Sequence, residues 1–249
     1  MNLLKRTSGF FAVIMTAVMI AGCNIADMFG NAANDAQAKE LVDSLFERTC
    51  SGKIAEGTYT DYFCEGEDNE KAFYELAELI DSDKLMNRTA GQFRDYVSES
   101  VYNELRAAVS DTVYGAVSYT ITSMDKDSAE VVLTIPDSVK QGSASAEVDS
   151  EKLAQECFGF DVFSKEELLN AFLEKKNMTK EQFREEYASL NKSQIIKDLF
   201  APFENEIKTY VKKVAEAVVN DSEKTEIKYT VKLQRNKDKS WRAASLNTE

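Results

Sequence analysis

Thr225-Glu226-Ile227-Lys228-Tyr229-Thr230-Val231-Lys232-Leu233-Gln234 decides the fold. Ile227, Tyr229, Val231 and Leu233 alternate with Glu226, Lys228, Thr230 and Lys232, a period of two that fits a strand with one buried and one wet face. The polar stretch Arg235 to Lys239 reads as a turn leading to Trp241, which falls on a second strand over the same apolar face. An isolated two-stranded hairpin is marginal in water, so this pair needs further strands or a helical cover. The chain offers both. Val117, Tyr119 and Ile121 alternate with Ser118, Thr120 and Thr122, Asp125-Lys126-Asp127 makes a turn, and Val131 and Leu133 continue on a second strand that stops at Pro136. Pairing the 116–135 hairpin with the 225–244 hairpin predicts one antiparallel sheet with helices on one face, an α+β fold.

The segments between and before the hairpins change period. Leu41, Val42, Leu45 and Phe46 predict a first helix over 36–48; Phe73, Leu76, Ala77 and Ile80 a second over 70–80. Cys50 to Asn69, with Gly52, Gly57 and Gly66, reads as a loop. Thr89 and Gln92 form a capping-box pattern that predicts a long helix from there, carrying Phe93, Val97, Val101, Leu105 and Val109. Between the hairpins, residues 150–220 read as a helical insertion. Ser164 with Glu167 and Thr179 with Gln182 give two more capping-box patterns, and Pro202 predicts a kink or break near Phe200. The organisation is thus a leader over 1–22, a tether over 23–35, one α+β domain over 36–244 with its insertion at 150–220, and a flexible tail over 245–249.

The full sequence has 249 residues, with 30 Lys+Arg against 43 Asp+Glu, a formal net charge of −13 and no histidine. Without histidine there is no HExxH zinc site, no Ser-His-Asp or Cys-His nucleophile pair and no His-ligated haem. No basic stripe with interleaved aromatics is present, which argues against nucleic acid as a partner. No Gly-rich phosphate loop, nucleophile elbow or CxxC pair occurs either.

At the N-terminus, Lys5 and Arg6 precede a mainly apolar run from Phe10 to Ala21, too short for an ordinary spanning helix of about 20 residues. This is the pattern of an export signal. Ile20-Ala21-Gly22-Cys23 then resembles the lipobox of bacterial lipoproteins. The resemblance implies cleavage before Cys23, lipidation of that residue, and a protein held outside the cytoplasm at the cell membrane. Two acyl chains suffice for stable anchoring, at about 0.8 kcal/mol per buried CH₂, whereas an acidic surface is repelled by anionic lipid. Lipid, not charge, is then the membrane partner. Ile25, Met28 and Phe29 in the tether could also dock onto the domain or the membrane.

Cys50 and Cys64 would close a short polar loop if bridged, a stabilisation of about 3 kcal/mol in the chain-entropy account, while Cys157 beside Phe158 reads as a small buried hydrophobe. Glu65, Glu67, Asp68 and Glu70 lack EF-hand spacing and read as a solvated helix start; Asp125 and Asp127 read as turn residues, not a catalytic pair. Lys175, Lys176, Lys180 and Arg184 are offset by Glu181, Glu185 and Glu186. No metal or cofactor is expected.

The leading helices, the paired hairpins and the polar turn Asn236-Lys237-Asp238-Lys239-Ser240 before Trp241 resemble cystatin-like or NTF2-like lipoprotein domains. Many such domains are noncatalytic. A binding or interaction module facing an envelope protein is therefore the leading expectation. The alternative is capture of a small ligand or peptide in a pocket lined by Phe158, Phe160, Phe172, Phe183, Tyr187, Phe200 and Phe203 of the insertion. A hydrolase using carboxylates alone is the remaining class.

Overall fold

The computed structural model describes residues 36–140, 148–237 and 239–249. Cys23, the leader and the tether lie outside the described residues, as does part of the 137–149 loop.

Four strands form one antiparallel sheet in the order β1 (Ser118–Met124), β2 (Ser128–Pro136), β3 (Lys224–Arg235), β4 (Trp241–Thr248). The two hairpins join through β2 and β3 in an unbroken register, with Val131 opposite Tyr229 and Leu133 opposite Ile227. This is the predicted pairing. Ala129, Val131, Leu133 and Ile135 of β2 and Tyr229, Val231 and Leu233 of β3 are buried. Thr120, Glu130, Glu226, Lys228, Lys232 and Asn247 point into solvent from the opposite face. One face thus carries the core and the other is wet, the arrangement alternation dictates. Trp241 shares its row with Ala243 and packs against the core as expected.

The helix α1 (Ala36–Cys50) lies on the apolar face through Val42, Leu45 and Phe46. The Phe46 ring sits 5.9 Å from Tyr119 and 5.5 Å from Tyr229, bridging strands that are not neighbours. Tyr119 anchors the edge strand by donating its hydroxyl to Asp43 Oδ1 at 3.1 Å.

Three expectations need correction. The 50–69 segment is not a plain loop: after a 3-10 turn at Ile54–Glu56 it forms α2 (Tyr59–Tyr62), and α3 (Glu67–Glu78) already starts at Glu67. Thr58 and Asp61 cap α2 reciprocally, and Cys64 N–H donates to Ala243 O at 2.9 Å, so the segment is held by hydrogen bonds to itself and to β4. Second, Thr89 does not begin a helix. It is the buried last residue of α4 (Ser82–Thr89), and its hydroxyl turns back to Leu85 O at 2.7 Å. The long helix α5 (Glu99–Gly115) starts after Ser98, whose hydroxyl accepts from Val101 N–H. Third, β4 continues through Thr248, paired to Tyr229, so 245–248 is strand and not tail.

The insertion contains α6 (Ser150–Phe158), α7 (Lys165–Lys176), α8 (Lys180–Tyr187), α9 (Lys192–Phe200) and α10 (Glu204–Asn220). A 3-10 turn at Ala201–Phe203, with Pro202 inside it, separates α9 from α10 where the proline predicted a break. Helix α10 packs Ile207, Tyr210, Val211, Val214 and Val218 against α5 and α6, tying the insertion into the same core as the sheet. No helix of the described residues is long and apolar enough to cross a membrane.

Candidate functional site: an apolar groove in the inserted helices

Helices α6 to α9 each follow a polar residue whose side chain accepts from an orphan N–H, whereas α10 follows Phe203 with no side-chain cap. Ser164 Oγ accepts from Glu167 N–H, but Glu167 Oε2 accepts from Asp161 N–H at 2.8 Å, so the reciprocal half of that capping box goes to the incoming loop. Thr179 and Gln182 form the complete box at α8, and Asn191 Oδ1 accepts from Gln194 N–H at 2.9 Å at α9. Asn177, in the left-handed region at φ 50°, ends α7 and turns the chain sharply into α8.

The seven aromatics predicted to line a pocket fall into two packing groups. Phe158 and Phe160 stand 5.9 Å apart, with Phe158 6.0 Å from Tyr210 and Phe160 5.4 Å from Phe203. Phe200 joins them through Phe93 at 6.1 Å and stacks on Tyr96 at 5.0 Å. The second group is Phe172, fully buried, with the edges of Phe183 and Tyr187 at 5.9 and 6.1 Å. Phe183 and Tyr187 stack at 4.5 Å. Most of these rings therefore serve packing.

A groove nevertheless exists beside them. About 350 Å³ in volume, it lies between α7, α8 and α9, and of the seven predicted residues it is lined by Phe183 and Phe200. Its walls are otherwise Leu168 and Leu169 of α7 and Ile195, Ile196 and Leu199 of α9, completed by Tyr96, Val162 and Phe163 from outside these helices. Phe163 is 47% exposed, unusual for so large an apolar ring. The two charged lining groups are Lys165 and Lys192, and no acidic residue lines the groove. The wall residues recur on α9 at three- and four-residue spacing, a helical stripe left half-buried; that spacing is the signal by which the sequence could have shown the groove.

Other concavities differ in chemistry. One between α3 and the β3–β4 ends carries Glu75, Glu226 and Lys140; another beside α1 carries Glu40, Asp61 and Arg242. Both mix charges.

Lys175 of the basic cluster is structural. Its Nζ donates to Pro202 O at 2.7 Å and Glu206 Oε1 at 2.6 Å, and sits 4.5 Å from the centre of the Phe203 ring. Burial, the largest single influence, would raise the Glu206 carboxyl, but the Lys175 hydrogen bond, the backbone N–H of Glu206 and the Lys175 charge together outweigh it and hold the group below its ordinary value. Asp61 is likewise held low, by the backbone and side-chain bonds from Thr58. These displacements favour the charged carboxylate, the opposite of what a general acid requires. Burial pushes the Tyr187 and Tyr210 phenols up.

Glu67, Asp68 and Glu70 occupy the first turn of α3, and Asn69 Nδ2 donates to Cys64 O at 3.0 Å. Asp125 and Asp127 sit in the β1–β2 turn. Among the described residues no group of three or more His, Cys, Asp or Glu is placed to hold a metal ion. Cys50, Cys64 and Cys157 are free thiols, so the anticipated Cys50–Cys64 bridge is not made; the segment between them has its own hydrogen-bonded ties. Burial raises the Cys50 thiol to about 11.

No family model, curated protein or solved structure matches the chain.

Proposed function

We propose that this chain is a noncatalytic binding module, anchored outside the cytoplasmic membrane by lipid on Cys23, that takes its ligand in the α7–α9 groove. The observation that carries the binding reading is the groove itself: an open concavity walled by Leu, Ile and Phe on an otherwise highly charged surface. Leaving such side chains half in water forgoes about 25 cal/mol per Å² of hydrophobic stabilisation, which a bound apolar group recovers. The anchoring part rests on Lys5, Arg6, the apolar run to Ala21, and Cys23 after Ile20-Ala21-Gly22.

Kinship with cystatin-like or NTF2-like domains belongs to the same proposal. It is supported by the leading helices, the antiparallel four-strand sheet and the polar turn before Trp241. The helices between β2 and β3 are the departure from that plan, and they carry the groove.

The test is titration with the neutral apolar dye Nile red. Its fluorescence rises with the wild-type protein and falls away in Leu169→Gln/Ile195→Gln, whose melting temperature stays within a few degrees of wild type because both positions are only half-buried. Equal fluorescence in both proteins contradicts the groove as the site.

A further inference from the structure

Building on the groove reading, we infer that its ligand is a single-chain amphipathic anion, a hydrocarbon tail ending in a carboxylate or phosphate. Two features lead there. The first is the lining. Apart from the Tyr96 hydroxyl and two ammonium groups, no lining side chain can hydrogen-bond. A peptide laid into the groove would strip water from its own N–H and C=O groups without compensation from these walls, a cost a hydrocarbon tail does not meet. The volume of about 350 Å³ is at the low end of the roughly 300–1,000 Å³ range of small-ligand sites and fits a narrow tail better than a folded segment.

The second is charge. The chain carries 43 acidic against 30 basic residues, yet the groove has two lysines and no carboxylate. Neither the Lys165 nor the Lys192 ammonium forms an ion pair or hydrogen bond among the described residues, so both are available to a ligand in the groove. Both groove lysines also occupy the first position of their helices, Lys165 in α7 and Lys192 in α9. A cation there opposes the helix dipole, so helix stability does not explain either one. An anionic headgroup at the groove supplies the missing partner, with the tail over Leu168, Ile196 and Leu199.

The experiment is calorimetric titration of the chain from residue 23 onward, with Cys23→Ser replacing the acylated cysteine. Four twelve-carbon probes are used below their micelle thresholds: dodecanoate, dodecyl phosphate, dodecyl maltoside and dodecyltrimethylammonium. The anionic pair binds roughly tenfold more tightly than the cationic and neutral probes, and Lys165→Glu/Lys192→Glu removes that preference while Nile red still binds. Dodecanoate against dodecyl phosphate separates a fatty-acid head from a phosphate head. Equal affinity for all four probes, or a preference unchanged by the double reversal, overturns the headgroup inference and leaves the groove standing. Failure of every probe and of Nile red overturns both. Binding of the double variant to vesicles of anionic phospholipid as tightly as wild type, with no probe preference in either, would place any lipid contact elsewhere.

Discussion

Phe172→Ala should release helix α8 before it unfolds the rest of the protein. Phe172 is fully buried, whereas α8 itself has no buried residue and leans on the body through Phe183 and Tyr187, whose rings meet Phe172 edge-on. Truncating a buried Phe to Ala costs about 3–5 kcal/mol. Two lost aromatic contacts at about 0.5–1.5 kcal/mol each account for about 1–3 of that, and this share falls on α8 docking. A helix of 8 residues has almost no stability of its own in water, so losing its two anchors leaves it largely undocked. Amide hydrogen exchange reads this out. Protection over 180–187 collapses towards the unstructured rate, while amides of Val131, Leu133 and Val231 in the sheet lose only what the global destabilisation removes. Phe172→Leu restores part of the α8 protection. If 180–187 keep wild-type protection in Phe172→Ala, the aromatic contacts do not hold α8 and the geometry of the groove wall rests on something else.

Three other outcomes follow from the same structure. Lys175→Met weakens the tie between α7 and α10 by no more than about 1 kcal/mol, since both partners are partly exposed. Because the Glu206 carboxyl is held low in the folded state, the ion-pair part of that contribution is present above its unfolded value and disappears as pH falls through the folded one; the difference in urea midpoint between wild type and variant should be larger at neutral than at strongly acidic pH, where only the Pro202 and Phe203 contacts of Lys175 remain. Gly52→Ala destabilises by about 2–3 kcal/mol in urea melts, because Gly52 sits at φ 69° and a Cβ there would run into the Tyr114 ring. In the unreduced, denatured chain from residue 23 with Cys23→Ser, three thiols react with an aromatic disulfide reagent, but Cys50, raised to about 11, stays silent at pH 8 in the native state; two missing thiols in the denatured sample would contradict the structure.

The sheet was legible because its signal is local and strict. Every second residue of 227–233 is apolar, and a one-residue slip would bury Lys228 and Lys232. The break at Pro202 was legible for a similar reason, since the ring removes a donor wherever it sits. Helix starts were less so. Thr89 stands at capping-box spacing from Gln92, but it is fully enclosed and turns its hydroxyl back to Leu85, and the long helix starts instead after Ser98, which meets the free N–H of Val101. The 50–69 segment misled through its glycines, although Thr58 and Asp61 stand at capping-box spacing three residues apart. The tail was missed because 245–248 is too short and mixed to declare itself as strand without β3 alongside.

The candidate site was legible in kind and not in place. Aromatic richness pointed to the insertion, but rings prefer one another, and Phe158, Phe160 and Phe203 became packing. The groove keeps only Phe183 and Phe200 of the predicted rings and takes the rest of its wall chiefly from aliphatic residues of α7 and α9 that adjoin in space and lie far apart in sequence. In the sequence Lys165 and Lys192 are ordinary surface lysines; the fold sets both on one apolar concavity.

The most direct test of the account is a methyl-labelled NMR titration of the chain from residue 23, Cys23→Ser, with dodecanoate. The account predicts saturable shifts centred on Val162, Leu168, Leu169, Ile195, Ile196 and Leu199, with Leu133 and Val231 in the sheet unmoved. Saturable shifts centred on the sheet or on α3, with the groove methyls still, would contradict it.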